Sequence, residues 1–188
     1  METIPLKKNT AALAILAVIA ALGLLMRYLI RITIIPELVE ITPGFLFSEL
    51  GGVIGGIFGG ILVGLAVGIG GALGGGEFSL IPLIGNIFLG IGTGYAIHIT
   101  KERDSMKYAV MAILGGGLIG GFIPDMTIFL FLSETLEAAF LLAVIDMIQG
   151  FIWAAVAIIL ERMIIRPIAG HYLYPDAGIQ LLDKTETS

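Results

Sequence analysis

Three polar side chains at helical spacing interrupt an apolar stretch in the C-terminal third of the chain. Asp146, Gln149 and Trp153 follow one another at intervals of three and four residues, which places them on one face of a helix. A carboxylate beside an aromatic ring suits a cationic or amine-bearing molecule. Isolated acids and an asparagine occur in other apolar segments. We expect these polar residues to share one solute-binding pocket, with the following members: Glu49, Asn86, Asp125, Asp146, Gln149 and Trp153.

The surroundings of these residues are too apolar for a water-soluble core. The chain has 188 residues, of which 57% are hydrophobic and 13% are charged, and its mean hydropathy is +1.04. Soluble domains are about 25% charged. We therefore predict an all-α, polytopic protein embedded in the lipid bilayer. An ionisable side chain is unfavourable in the bilayer unless it has a partner or a function. For each polar residue of the expected pocket, the alternative to solute binding is a structural hydrogen bond between helices, which contributes about 0.6 kcal/mol.

The predicted membrane spans are six: 9–31, 43–55, 57–74, 79–99, 108–131 and 134–161. Local sequence marks two of the helix starts. Thr42 followed by Pro43 is typical of an N-cap and a first helical residue. Ser133 followed by Glu134 places a capping hydroxyl and an acid at the start of the last span. Pro124 is expected to kink the fifth span.

Basic residues set the predicted orientation. With both termini in the cytoplasm, eight of the ten lysines and arginines lie inside and only Arg27 and Arg31 lie toward the outside, as the positive-inside rule requires. The chain is then outside near Glu40 and inside at "KERDSMK", so the segment between them crosses an odd number of times. Three crossings of about 17–20 residues just fit. Residues 1–167 are thus predicted to form a single six-helix transmembrane domain, and 168–188 a polar cytoplasmic tail.

Glycine dominates predicted spans 2 and 3, which contain "ELGGVIGGIFGGILVGLAVGIGGALGGG". One row of glycines recurs at every fourth position from Gly52 to Gly68. Between helices in lipid there is little hydrophobic drive, and small residues at this spacing let backbones approach closely. We predict a tight turn near Gly55–Gly56 with closely packed arms. A smooth face on which a helix slides would require the same pattern, and the glycines do not distinguish the two.

The glycine pattern also resembles that of a known family. "ELGGVIGGIFGGILVGLAVGIGGAL" followed by "GEFSLIPLIGNIFLGIGTGYAIHI" is similar to the S components of energy-coupling-factor (ECF) vitamin transporters. Gly56, Gly60 and Gly64 match the family's pattern, whereas Ile57 stands where a proline is usual. The resemblance implies a substrate-specific binding subunit in the cell membrane. It also implies two kinds of partner, a transmembrane coupling subunit and two ABC-type ATPases.

The same resemblance assigns a role to the first span. Small residues of that span contact the coupling subunit in S components, and Ala17 and Ala21 hold matching positions here, with Ala14 on the same side. Alanine-rich spans are common, so internal packing is the alternative for this face.

Acidic residues outnumber basic ones on the predicted outer side. Eight carboxylates lie there or face it, against two arginines, and this field attracts cations. We therefore expect a small vitamin-like solute that is cationic or amine-bearing, although Arg27 and Arg31 leave an anionic solute possible. Arg27 is also within reach of Glu40 or Glu49. The loop "PELVEIT" is predicted to act as a lid, through Glu37, Glu40 and Thr42.

An ion-translocating or structural subunit of a larger membrane complex is the alternative function, because such subunits also combine glycine-rich hairpins with intramembrane acids. We do not expect an enzyme. The chain contains no cysteine, and no GxSxG, HExxH or P-loop motif. We likewise expect neither a cofactor nor a metal, and no nucleic-acid partner. Energy for transport would have to come from partner proteins.

The predicted topology can be measured with single cysteines, because the native chain has none. Cysteines placed at Thr3, Ser105 and Thr187 should resist an impermeant maleimide added outside intact cells, and a cysteine at Glu40 should react with it. Labelling of position 105 without labelling of position 40 would mean that the orientation is inverted.

Overall fold

The computed structural model describes residues 9–35, 39–74 and 80–174, which form a bundle of long helices with one small β-hairpin. The helices are α1 (Thr10–Leu29), α2 (Gly44–Gly74), α3 (Ile81–Gly94), α4 (Ala96–Ile99), α5 (Met106–Leu114), α6 (Ile123–Thr127), α7 (Leu136–Leu160) and α8 (Arg166–Leu173). Two π-helical segments join α5 to α6 (Gly115–Phe122) and α7 to α8 (Glu161–Ile165), and a 3-10 turn follows α6 (Leu130–Leu132). The strands are β1 (Ile32–Ile35) and β2 (Val39–Ile41).

The described chain contains five helical stretches that are long and apolar enough to cross a membrane: Thr10–Leu29, Gly44–Gly74, Ile81–Ile99, Met106–Thr127 and Leu136–Leu173. The all-α prediction holds for this bundle, and the β-hairpin is an addition to it. Ile32 pairs with Ile41, and Thr33 with Glu40, in antiparallel register, where the sequence predicted only a loop. The β-branched residues of "ITII" and "VEI" are the signal that favours strands here.

Helix α2 is folded back on itself at Gly56, the described glycine with a positive φ, of 64°. A Cβ added to Gly51 would lie only 2.6 Å from the Cβ of Val63, whereas residues 12 apart in an unbroken helix are about 18 Å apart. Residues 44–55, the first arm, therefore run antiparallel to residues 57–74, the second arm. The tight turn predicted near Gly55–Gly56 is confirmed, and glycine adopts this φ without steric cost.

The two arms differ in length. The 12 residues of the first arm extend about 18 Å and the 18 of the second about 27 Å, against a hydrocarbon core of about 30 Å. The first arm is too short to cross such a core unaided. Five helical stretches of the described residues are long and apolar enough to cross a membrane, and one of them, Gly44–Gly74, consists of the two arms that the sequence predicted as spans 2 and 3.

Helix α3 lies in the groove between the two arms of α2. Along the second arm, Gly60 contacts Gly90 and Gly64 contacts the backbone of Asn86, so this arm runs antiparallel to α3. On the other side, Gly52 of the first arm contacts the same Gly90. The spacing of four residues thus brings three backbones together without intervening side chains, which is the close packing that the glycines predict.

The helix that carries Asp125 is distorted before Pro124 rather than at it. The π-helical segment Gly115–Phe122 ends two residues before the proline. Its glycines face two neighbours: Gly115 contacts Gly92 of α3, and Gly121 contacts the backbone of Asp146 on α7. This packing places Asp125 next to α7.

The last long helix begins later and ends later than predicted. Thr135, rather than Ser133, caps it, because the backbone N–H of Ala138 donates to the Thr135 hydroxyl at 3.1 Å. The helix continues through the second π-helical segment to Leu173, which is fully buried in the same apolar core as Leu16. The packed domain thus extends past the predicted boundary at residue 167, and residues 175–188 lie outside the described chain.

The bundle has two distinct ends. The hairpin end carries the β-hairpin and the N-terminal ends of the first arm, α3 and α7. The loop end carries Gly56, residues 101–105 and α8. Asn9, which caps α1, donates from its amide nitrogen to the carbonyl oxygen of Tyr172 at 2.7 Å. The first and last described helices therefore begin and end together at the loop end.

Replacing Gly90 by alanine should destabilise the bundle, because its Cβ would overlap the carbonyl oxygen of Gly60. Overpacking of this kind costs about 1–3 kcal/mol. Gly85→Ala on the same helix is the matched control, since the nearest atom to its Cβ would be 3.8 Å away, and alanine favours a helix by about 1 kcal/mol. Thermal unfolding in detergent compares the two. Equal melting temperatures would contradict the tight contact at Gly90.

Candidate functional site

A cavity of about 430 Å³ opens at the hairpin end between α1, β2, α3, α6 and α7. Four charged residues line it: Arg27 from α1, Glu40 from β2, Asp125 from α6 and Asp146 from α7. The rest of the wall is largely apolar: Phe45, Ile81, Phe129, Leu132, Ala139 and Leu142. Three carboxyl groups and one guanidinium thus share an apolar cleft, and this is the arrangement of a binding site for a small polar molecule.

Asp146 and Gln149 hold the β-hairpin over this cavity. The amide oxygen of Gln149 accepts from the backbone N–H of Thr42 at 3.1 Å. Its amide nitrogen donates to the carbonyl oxygen of Glu40 at 3.0 Å and to Oδ1 of Asp146 at 3.2 Å. Gln149 is buried and does not line the cavity. The structure therefore places it behind the wall, where it orients both the lid strand and a cavity carboxylate.

Arg27 connects α1 to the same lid. Its Nη1 donates to the hydroxyl of Thr42 at 3.0 Å and lies 3.6 Å from Oε2 of Glu40. Of the two acids within its predicted reach, Arg27 thus pairs with Glu40. The hydroxyl of Thr42 is engaged here and does not cap α2, so the N-cap predicted at this residue is not formed by its side chain. Arg31 instead donates to the carbonyl oxygen of Gly71 at 2.8 Å.

Asp125 and Asp146 are the carboxyl groups left without a cationic contact in the cavity. Oδ2 of Asp125 is buried and has no hydrogen-bond partner among the described residues. Asp146 accepts only from the neutral amide of Gln149. The contact of Gly121 with the backbone of Asp146 keeps the two helices close. A cation entering between these acids would find two carboxyl groups that have no cationic hydrogen-bond partner among the described residues.

Besides Gln149, three predicted pocket residues are not among those that line the cavity. Glu49 is fully buried inside the bundle, and Asn86 is occupied by structural bonds, from the Ser48 hydroxyl to its Oδ1 and from its Nδ2 to the carbonyl oxygen of Pro82, both 2.8 Å. Trp153 is half-buried on α7 and does not line the cavity. The predicted convergence is corrected on these points. Trp153 lies two turns, or about 10 Å, along the helix from Asp146, and no residue of α7 beyond Asp146 lines the cavity.

The lid prediction fits the part of the segment that is described. Glu40 and Thr42 border the cavity, and Glu37 lies outside the described residues. Arg27 is a cavity residue that the predicted site omits. The signal was present in the sequence, because an arginine within an apolar first span is costly and implies a polar partner.

A second polar cluster, missed by the sequence analysis, closes the loop end. Arg103 is only 2% exposed, and its guanidinium donates to the carbonyl oxygens of Val53 and Ile54, the second at 3.1 Å. These carbonyls end the first arm and have no helical partner because the helix breaks at Gly56. The guanidinium also lies over the ring of Tyr174, 4.9 Å from its centroid. Arg103 thus caps the first arm, as the polarity of a helix C-terminus favours.

Acidic residues and further arginines complete this loop-end cluster. Arg166 bonds to Glu161 at 2.7 Å and also to Asp104. The hydroxyl of Tyr174 donates to Glu161 at 3.1 Å, and Arg162 donates to the carbonyl oxygen of Arg103 at 2.7 Å. The loop that follows α4 is therefore fastened to α7 and α8, and the first arm is sealed at this end.

The residues predicted to contact a partner lie on the outer face of α1. Ala14, Ala17 and Ala21 are all exposed, whereas Leu16, on the opposite face, is fully buried against the rest of the bundle. Ala14 also borders an apolar groove of about 450 Å³ between α1, α2 and the end of the last helix. This face is free for another membrane helix or for lipid.

Comparison with known proteins does not narrow the range of possible functions for this chain. No protein-family model, curated protein or solved structure matches the chain. The function is therefore inferred from the cavity, the buried acids and the polar clusters of this chain.

Replacing Gln149 by leucine should detach the lid from α7. The change leaves the N–H of Thr42 and the carbonyl of Glu40 without partners, and each buried unsatisfied group costs about 1–3 kcal/mol. Hydrogen exchange at the Thr42 amide should accelerate by about tenfold or more, by the usual relation of free energy to rate. Ile148→Leu, at the exposed neighbouring position, is the control. Unchanged protection of Thr42 in the Gln149 variant would show that other contacts hold the strand.

Proposed function

We propose that this chain is the solute-binding subunit of a membrane importer and that it captures a small cationic or amine-bearing molecule in the cavity at its hairpin end. The observation that carries the proposal is the pair of carboxyl groups, Asp125 and Asp146, in a cleft of about 430 Å³. This volume is within the range of small-molecule sites, about 300–1,000 Å³. Neither acid has a cationic partner within hydrogen-bonding distance among the described residues.

The charge balance of the cavity favours a cation over an anion. Arg27 is the basic residue among those that line it, and it already contacts Glu40 and Thr42. An anionic solute would have to displace these contacts and lie near two further acids. A cationic solute meets Asp125 and Asp146 directly, and the aromatic rings of the wall add attraction for a positive charge.

The proposed setting is the cell membrane, with six passes and both termini in the cytoplasm. Two observations support this topology. Eight of the ten basic residues then lie inside, and Asn9 contacts Tyr172, which brings the ends of the described chain to one side. In this arrangement the two arms of α2 count as two passes. The cavity and its β-hairpin lid then face the outside, where a solute would be captured.

The proposed partners are a transmembrane coupling subunit and two ABC-type ATPases, as in ECF transporters. The chain has no P-loop of its own, so an importer built on it needs an external source of energy. The exposed face of Ala14, Ala17 and Ala21 provides a surface of small side chains on which a partner helix packs closely. The glycine pattern of α2 and α3 adds the resemblance to S components.

An ion-translocating subunit of a larger complex is a second candidate, and the fully buried carboxyl group of Glu49 favours it. The two candidates differ in what accompanies the protein on purification. A solute-binding subunit should retain a small molecule and recruit ATPase subunits, and both are detectable by native mass spectrometry. An ion-translocating subunit should retain neither.

The proposal predicts a large difference between two acidic residues of α7. Asp146→Asn should weaken binding of the co-purified molecule by about tenfold to a hundredfold, because a charge-assisted hydrogen bond contributes roughly 1.5–3 kcal/mol. Glu137→Gln, an exposed acid outside the cavity lining, should change affinity little and mainly alter its salt dependence. Titration calorimetry on both variants, with the molecule identified by mass spectrometry, measures the difference. Small and equal effects would remove Asp146 from the binding site.

A further inference from the structure

Glu49 is the most deeply buried acid of the described chain and the one that the proposed solute site does not use. Its side chain is fully buried, and neither Oε1 nor Oε2 has a hydrogen-bond partner among the described residues. An ionised carboxylate without a cation or a donor is very unfavourable in such surroundings. The uncharged acid removes most of that cost.

The neighbours of Glu49 leave room for a carboxyl group but not for a metal site. A Cβ added to Gly116 would lie 2.8 Å from Oε1 of Glu49, so the acid lies directly against this glycine. Ala154 of α7 and Thr93 of α3 are the next nearest residues to that Cβ. The hydroxyl of Thr93 is bonded to the carbonyl oxygen of Leu89. No group of three or more metal-binding side chains occurs in residues 9–35, 39–74 and 80–174.

Glu49 lies between the cavity and the loop-end cluster along the first arm. Phe45, one turn toward the hairpin end, lines the cavity. Val53, one turn toward the loop end, has its carbonyl oxygen bonded by Arg103 and by the hydroxyl of Tyr108. Positions 45, 49 and 53 lie along roughly one face of the arm. The acid therefore stands between an open cavity and a closed polar cluster.

We propose that Glu49 is an intramembrane proton-binding site that exchanges its proton through the hairpin-end cavity. The ligand is a proton because a single carboxyl group suffices to bind it, and no second oxygen donor is free beside the acid among the described residues. The site is distinct from Asp125 and Asp146, and it requires only that the bundle lies in the membrane as proposed above. Proton binding at this position neutralises the one charge that the first arm would otherwise carry inside the bundle.

Modification by dicyclohexylcarbodiimide, an apolar reagent that reacts with protonated carboxyl groups, tests the site in the full chain reconstituted in lipid nanodiscs. The reagent adds across the acid O–H: the carboxyl oxygen bonds to the central carbon and the proton moves to nitrogen, with no leaving group. The Glu49 peptide should gain the mass of one reagent molecule. Because exposed carboxyl groups are almost entirely ionised at neutral pH, adduct at Glu49 should exceed that at Glu137 by about tenfold or more.

Two further measurements separate proton binding from simple burial. A water-soluble charged carbodiimide should leave Glu49 unmodified in the native chain, and Phe45→Ala should increase its modification several-fold by opening the cavity wall. Leu46→Ala, at the neighbouring position outside the cavity lining, is the matched control.

Infrared spectra of the native chain should contain the carbonyl stretch of a protonated acid, and Glu49→Gln should remove it, whereas Glu137→Gln should not.

Several results would overturn the proposal, and none requires a folded Glu49 variant. A Glu49 that stays unmodified in the Phe45→Ala variant, in a chain whose Asp125 or Asp146 is modified, would show that Glu49 exchanges no proton through the cavity. Equal modification of Glu49 by the apolar and the charged reagent would show that water reaches it freely. An increase with Leu46→Ala equal to that with Phe45→Ala would reject exchange through the cavity. The solute proposal would be untouched by these outcomes, because it depends on Asp146.

Discussion

Backbone contact between α2 and α3 is the constraint on which the rest of the structure depends. Helix α3 lies between the two arms of α2, and no side chain separates Gly60 from Gly90 or Gly56 from Gly94. The arrangement is possible only because the chain reverses at Gly56 with a φ of 64°. In lipid such contacts replace the hydrophobic effect as the cause of helix association. They also fix the relative height of the helix ends that border the cavity.

The reversal at Gly56 determines where polar groups are needed. A helix that stops inside a bundle leaves carbonyl oxygens without partners, and Arg103 supplies donors for those of Val53 and Ile54. At the opposite end, Gln149 supplies a donor and an acceptor to the β-hairpin backbone. Arg103 and Gln149 thus complete broken secondary structure. Glu49 differs from them, since its carboxyl group has no hydrogen-bond partner among the described residues.

Sequence patterns predicted the helices and the turn better than the contacts between helices. The glycine spacing predicted the turn at Gly56 and the close packing around it, because backbone contact leaves a periodic signature. The shared face of Asp146 and Gln149 was also read correctly, yet Trp153 on that face lies too far along the helix to reach the cavity. Helical periodicity specifies direction around an axis and not depth along it. Asn86 was misassigned because its partner, the Ser48 hydroxyl, depends on how two helices align, and periodicity carries no information on that alignment.

Helix α1 connects an exposed face of small side chains to the β-hairpin beside the cavity. Its outer face presents Ala17 and Ala21, and near its end Arg27 bonds to Thr42 at the base of the lid. Between them, the carbonyl oxygen of Leu24 is in close contact with Gly70 of the second arm. The position of α1 is therefore tied to the second arm by a backbone contact and to the base of the β-hairpin by a buried hydrogen bond from Arg27, and Gln149 of α7 bonds to the same backbone at Thr42.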